Sequence, residues 1–277
     1  MIAFSRLNTH RLTVQLRELT IDDAIYMCSL PAHLEEHCCT EALRRIVEPL
    51  DDLKDGQVTD PQLWTVQERA MVIAHYLMHT AEPGNPNFRV GTENSFTDYL
   101  LEGVDHHTVL DLGVYEGDHW FLQPLLGRGS ECIERLIDGG QLHQGRMGWF
   151  LGAMACMLVR DKDEDTTTWP EAKYEEYVLR RAQQFARIGD SAFGPLFMMF
   201  WQGVKQQDHL LRLSFHDNGI AFDPAPEVPG QSAARFLSGS IITDTTLRIL
   251  GVAPEPEDGP DQTRQPTMER GGPSDPE

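Results

Sequence analysis

Basic residues are scarce in this chain: 23 Lys and Arg stand against 43 Asp and Glu, a formal charge of −20 over 277 residues. Sequence-independent binding to nucleic acid needs clustered cations against phosphate, so that class is excluded and basic partners are favoured. A spaced cysteine framework is also missing. The chain has five cysteines, with Cys28, Cys38 and Cys39 bunched together. They read as reduced thiols, not as the disulfide scaffold of a small secreted domain. Long apolar runs are absent too. The longest, residues 147–159, contains Gly148 and Gly152. It falls short of the roughly 20 residues that cross a bilayer, so it predicts a buried helix and no membrane span. The first residues, Met1-Ile2-Ala3-Phe4-Ser5-Arg6, lack a basic segment followed by an apolar run and a small-residue cleavage site, so no secretory signal is expected.

What is present begins with a broken motif. Val109-Leu110-Asp111-Leu112-Gly113-Val114-Tyr115-Glu116-Gly117 nearly spells the strand and glycine-rich loop on which a nucleotide cofactor rests. Tyr115 occupies the place of the middle glycine, where a side chain keeps a cofactor off the backbone. His119-Trp120-Phe121-Leu122 then reads as a second strand across a Tyr-Glu-Gly-Asp turn, and residues 109–122 are expected to form a β-hairpin.

Along the rest of the chain, residues 11–19 alternate Leu12, Val14 and Leu16 against polar side chains, as a half-buried strand does. Thr20 is placed to cap a helix running toward Pro31, and a second helix is expected over 33–47, stopped by Pro49. Thr65-Val66-Gln67-Glu68 spells a capping box opening a helix over 66–79 with Val66, Ala70, Ile73 and Leu77 as its apolar stripe. A short helix around 96–101 precedes the hairpin, and helices over 129–136 and 145–159 follow it. Thr168-Trp169-Pro170-Glu171 looks like a second capping box, for a helix over 170–188. Residues 192–205 are apolar almost all round, and 209–222 read as a second hairpin about Asp217-Asn218-Gly219. Residues 233–250 supply a last helix, or a strand and a helix. From residue 253 onward proline and acidic residues dominate, which predicts a disordered tail over 253–277.

The fold class expected is therefore α+β, mostly helical, with two small antiparallel β-hairpins and an N-terminal strand. Residues 1–252 are expected to form one domain, with a subdivision near 161–168 as the alternative.

Chemistry-bearing patterns are thin. His33 and His37, like His75 and His79, are four apart and share a helix face, with Cys38 and Cys39 adjoining. Adjacent cysteines on a helix cannot readily both reach one ion, and Tyr76 and Leu77 stand where a metalloprotease helix needs its glutamate. Neither Ser130 nor Ser191 sits in the Gly-x-Ser-x-Gly elbow, and both read as helix caps. Asp111, Glu116 and Asp118 fit the wet face of a hairpin as well as a hydrolase acid pair. No catalytic residue, cofactor or metal ligand is expected. The candidate partner contacts are Phe193, Phe197, Met198, Phe200 and Trp201, where Met gives adaptable contact and aromatics give area.

Three blocks carry a resemblance: Leu16-Arg17-Glu18-Leu19-Thr20-Ile21-Asp22-Asp23-Ala24; Trp64-Thr65-Val66-Gln67-Glu68-Arg69 with Ala74-His75-Tyr76-Leu77; and Asp118-His119-Trp120 before Leu125-Leu126-Gly127 and Ile133-Glu134-Arg135-Leu136. They are similar to tailed-bacteriophage tail and baseplate proteins, including those likened to the baseplate hub assembly protein of the T-even phages, over roughly residues 10–160. The resemblance implies a non-enzymatic structural part or assembly chaperone that contacts other phage tail or baseplate proteins, in the host cytoplasm or the virion tail. The alternatives are a degenerate methyltransferase-like enzyme using the 109–117 loop, or a zinc-stabilised binding module.

Overall fold

Two threonines set the first and third helices. Thr20 accepts the Asp23 amide while the Asp23 carboxylate bonds back to the Thr20 amide, and Thr65 and Glu68 repeat the exchange. Each box satisfies amides that no helical carbonyl reaches. The computed structural model describes residues 2–53, 56–82, 84–106, 108–228 and 232–252; the tail expected over 253–277 lies outside the described residues.

Helices α1 (Ile21–Ser29), α2 (Glu35–Ile46) and α3 (Val66–Thr80) follow the expected positions. The N-terminal strand is shorter than its sequence pattern. Of residues 11–19, only Thr13–Leu16 (β2) pairs, between β1 (Leu7–Asn8) and β3 (Val47–Glu48), in an antiparallel three-stranded sheet. The short pair β4 (Arg89–Val90) and β5 (Asn94–Ser95) comes next, and the helix expected around 96–101 is a single 3-10 turn, Phe96–Tyr99.

The first predicted hairpin forms from β6 (Leu110–Tyr115) and β7 (Asp118–Leu122), and the structure adds a strand to it. After α4 (Gly127–Asp138) and α5 (Arg146–Met157), the chain leaves the helix two residues before 159 and pairs as β8 (Leu158–Arg160), with Val159 opposite Phe121 and Leu158 opposite Leu122. The open edge of β7 offers this segment backbone partners, and Leu158 is buried in making them. Helix α6 (Glu171–Ala186) starts without the capping box expected at 168–171. Pro170 is extended there and no side chain caps it. The preceding turn is instead held by Arg128, which donates to the carbonyls of Thr166, Thr167 and Trp169.

Helix α7 (Asp190–Gln206) leads into the second predicted hairpin, β9 (Arg212–His216) and β10 (Gly219–Asp223). Residues 233–250 give an isolated bridge from Ala234 to Phe222, a 3-10 turn at Ser238–Ile241 and α8 (Asp244–Ile249). The architecture is α+β, helix-rich, with small antiparallel sheets. One cluster of buried apolar side chains runs from Phe4 to Ile242. Among the described residues no helix is long and apolar enough to cross a membrane.

Candidate functional site

The 109–117 segment builds a turn, not a cradle. Glu116 and Gly117 both take positive φ, 50° and 83°, the combination a two-residue hairpin turn demands and a glycine meets without strain. Strands β6 and β7 are antiparallel, whereas the methyltransferase-like alternative requires Gly113 and Gly117 at the end of a parallel strand. The pairing seen here places neither glycine at such a strand end. The carboxylates nearby are already engaged: Asp111 accepts from His119 Nε2 at 2.7 Å and from the Gly113 amide, and Asp118 pairs with Arg160 and Lys162. These contacts hold both acids below the usual carboxylate range, the opposite of what a proton donor needs.

The histidine pairs fasten chain segments. His79 donates from Nδ1 to the His75 carbonyl at 2.9 Å and accepts the Ser5 amide on Nε2, while His75 Nε2 donates to the Ser5 carbonyl at 2.8 Å. Together they pin the N-terminal segment to α3. His33 lies 3.3 Å from Asp138 and His37 lies 4.0 Å from Glu131, so the pair addresses two different acids. All five cysteines are free, and burial pushes Cys38, Cys39 and Cys156 up to about 12, which leaves them poor nucleophiles. Among the described residues no group of three or more His, Cys, Asp or Glu is arranged to hold a metal ion.

The polar centre of the molecule is one the sequence did not announce. Arg69 on α3, its side chain 1% exposed, lies 3.8 Å from Glu36 of α2 and 3.8 Å from Glu131 of α4, and donates to the Glu36 carbonyl at 2.5 Å. Thr40 donates to Glu131, Gln62 bonds the same carboxylate, and Ser130 donates to Glu36 at 2.7 Å. Ser130, expected as a cap, is thus buried inside α4. Gly127 makes room for this cluster, since a Cβ there would sit 2.0 Å from Arg69 Nη1 and 2.8 Å from the Pro61 carbonyl oxygen. Desolvation opposes the guanidinium charge, yet the surrounding acids hold its pKa above the usual arginine value.

Beside this cluster opens a cavity of about 380 Å³ lined by Glu35, Glu134, Asp138, Trp149, Asp217 and Arg235 among others. Glu134 of α4 caps α2 from outside: its two oxygens accept the amides of Glu36 and His37 at 2.9 and 3.1 Å. No local side chain does so. Asp217, at the β9–β10 turn, accepts the Arg146 amide at 2.9 Å and so fixes the start of α5. Burial, reinforced by Glu35 and Glu36, pushes Glu134 up to about 8, and burial likewise pushes Glu35 up to about 7.

These raised values set a direction for stability. The folded chain binds the two protons more tightly than an unfolded glutamate with its value of 4.5. The added stability is full below that value and is lost as pH rises through about 7 and 8. Melting temperature is therefore expected to fall between about pH 5 and about pH 8, and less steeply in Glu134→Gln, which cannot titrate. Equal slopes for the two proteins would refute the assignment of a neutral Glu134.

The five expected contact residues divide. Phe193, Phe197 and Trp201 are half-buried along one side of α7, and Met198 is 51% exposed. Phe150 of α5 meets Phe197 and Trp201 edge-on, with ring centroids 5.0 and 5.4 Å away. Met147, one turn before Phe150, is 47% exposed, so two methionines flank a half-covered aromatic row. Phe200 belongs elsewhere. It joins Leu196, Gly203 and Val204 in the buried stripe of α7, where Leu112 and Leu122 of the hairpin press on Gly203. Its ring lies 6.3 Å from that of Phe197 but is wholly covered by the core, so it offers no exposed area of its own. Compared with known proteins, the chain matches no family model, no curated protein and no solved structure.

Proposed function

We propose that the chain acts through protein contacts, without catalysis, as a structural part or assembly factor of a bacteriophage tail or baseplate. The observation that carries the contact reading is the half-covered row of Phe193, Phe197 and Trp201, edged by exposed Met147 and Met198. Such a row offers apolar area already ordered by ring packing, so little side-chain entropy is lost when a partner covers it. The charge of −20 favours partners with basic surfaces and speeds their approach. The phage assignment rests on the three sequence blocks given above. Affinity capture of the tagged protein from phage-infected cells is expected to recover tail or baseplate subunits. Met198→Asp is expected to reduce that recovery about tenfold or more, since it places a charge in an apolar contact, while leaving the melting temperature nearly unchanged. Capture without any tail subunit would sink the proposal, and undiminished capture by Met198→Asp would move the contact off α7.

A further inference from the structure

We propose that residues 2–6 form a latch on α3 that two imidazoles hold shut at neutral pH and release on protonation. The first support is the use each ring makes of its nitrogens. His79 Nδ1 lies 2.9 Å from the His75 carbonyl, which only accepts, so the proton of the neutral ring sits on Nδ1 and Nε2 is left to accept the Ser5 amide at 3.3 Å. His75 Nε2 lies 2.8 Å from the Ser5 carbonyl and is likewise the protonated nitrogen of its ring. Both backbone groups of Ser5 are therefore held by imidazole, and the amide is held by a lone pair that a second proton on His79 removes. The Ser5 hydroxyl, 3.3 Å from the same Nε2, accepts the new N–H, but the amide is left without its acceptor.

The second support is that the two charges would stand uncompensated. The rings meet edge-on with centroids 4.9 Å apart, and His75 is buried. Among the described residues neither has a carboxylate within ion-pair distance, unlike His33, His37, His106 and His119. Burial, with His79 beside it, holds His75 below the ordinary value of 6.5. A released His75 therefore takes its proton more readily than a latched one. The closed state keeps its full advantage above 6.5 and loses it as pH falls through the lowered value. The third support is that little else fastens the segment. Phe4 stacks on Tyr76 at 5.0 Å, its carbonyl accepts from Gln15 at 3.0 Å, the Ile2 amide donates to Glu18 at 3.3 Å, and Arg6 pairs with Asp52 where both side chains are exposed. An exposed ion pair of that kind adds little. Tyr76, whose phenol burial pushes up, stays neutral in acid, and Arg17 and Asp23 pair with each other. Glu18 and Asp52 are the carboxylates that touch the segment, and their protonation is the rival trigger. Opening lifts Phe4 from Tyr76 and bares an aromatic face on α3.

The test uses the full chain, isotope-labelled for NMR, at about pH 7.5 and about pH 5.5, either side of the ordinary imidazole value. The fraction of molecules with the segment released is read from the Phe4–Tyr76 ring contact and from exchange of the Ser5 amide, corrected for the intrinsic pH dependence of exchange. It is expected to rise about tenfold or more toward acid, as uptake of at least one proton over that interval requires. Its midpoint is expected to match the titration of His75 or His79 followed through the ring carbons. Val72, Ile73 and Ala74, in the buried middle of α3, are expected to stay protected at both values, which separates release of the latch from unfolding. In His75→Gln with His79→Gln the side chains stay neutral and keep a donor and an acceptor, and the segment is expected to remain equally closed at both values. An unchanged fraction in the wild type overturns the latch. A rise of the same size in the double variant assigns the trigger to Glu18 or Asp52 and overturns it as well. If glutamine fails to hold the segment at either value, the wild type decides alone: a release midpoint about one pH unit or more from both imidazole titrations overturns the proposal, and coincidence upholds it.

Discussion

Arg69→Ala is expected to lower stability by about 3–5 kcal/mol, the usual loss when one member of a buried ion-pair cluster is removed. The reason lies in what stays behind. Glu131 keeps Thr40 and Gln62 as neutral partners and only the half-buried Arg135, 3.9 Å away, as a cation, while Glu36 keeps Ser130; without the Arg69 guanidinium both acids lose their buried countercharge in a low-dielectric space. They must then take up protons or admit water, and either response costs folding free energy. For a chain of this size the loss corresponds to a fall of roughly 6–20 °C in melting temperature. Chemical denaturation of Arg69→Ala and of Arg69→Ala with Glu36→Gln and Glu131→Gln separates the causes. The triple variant is expected to recover part of the loss, because its amides carry no charge. A single variant within about 1 kcal/mol of wild type would mean that solvent already screens the cluster.

Phe200→Ala is the second large effect, also about 3–5 kcal/mol, the range for emptying a buried phenylalanine site. Phe200 is wholly buried against the rest of the core, and its neighbours are a packed sheet and helix that cannot easily collapse into the space. Binding is expected to respond differently. Measured on the folded fraction at low temperature, Phe200→Ala should retain capture of tail subunits, whereas Met198→Asp should lose it without losing stability. Reversal of this pattern would place Phe200 on the contact surface and Met198 in a structural role.

Local sequence rules located most helices and both hairpins, because capping boxes and turn residues act within four positions. Thr65 and Glu68 form their box as written, and Tyr115-Glu116-Gly117-Asp118 turns where a Glu-Gly pair allows it. The failures share a tertiary cause. Residues 158–160 carry helix-compatible side chains but meet an open strand edge, and Pro170 stays extended because the turn before it is tied to Arg128. The candidate sites were less legible still. Gln67, Glu68 and Arg69 lie outside the apolar stripe of α3, yet all three are buried; Arg69 meets Glu36 and Glu131 from neighbouring helices and Glu68 meets Arg11 ahead of β2, pairings that no linear pattern shows. Methionine and aromatic content did mark α7, but which half faces out depended on where the β6–β7 sheet lies.

Glu134 contacts the amides of Glu36 and His37 across 98 and 97 positions of chain. Helix α2 thus cannot complete its first turn from its own residues, and the loop that must close before it does so is long and entropically costly. In folding, the start of α2 is consequently tied to the docking of α4, a slow non-local step, while α1 and α3 can nucleate from their own caps. Hydrogen exchange at those two amides reads out the α2–α4 junction directly, so the same pair of protons reports when the cavity wall is assembled and when it opens.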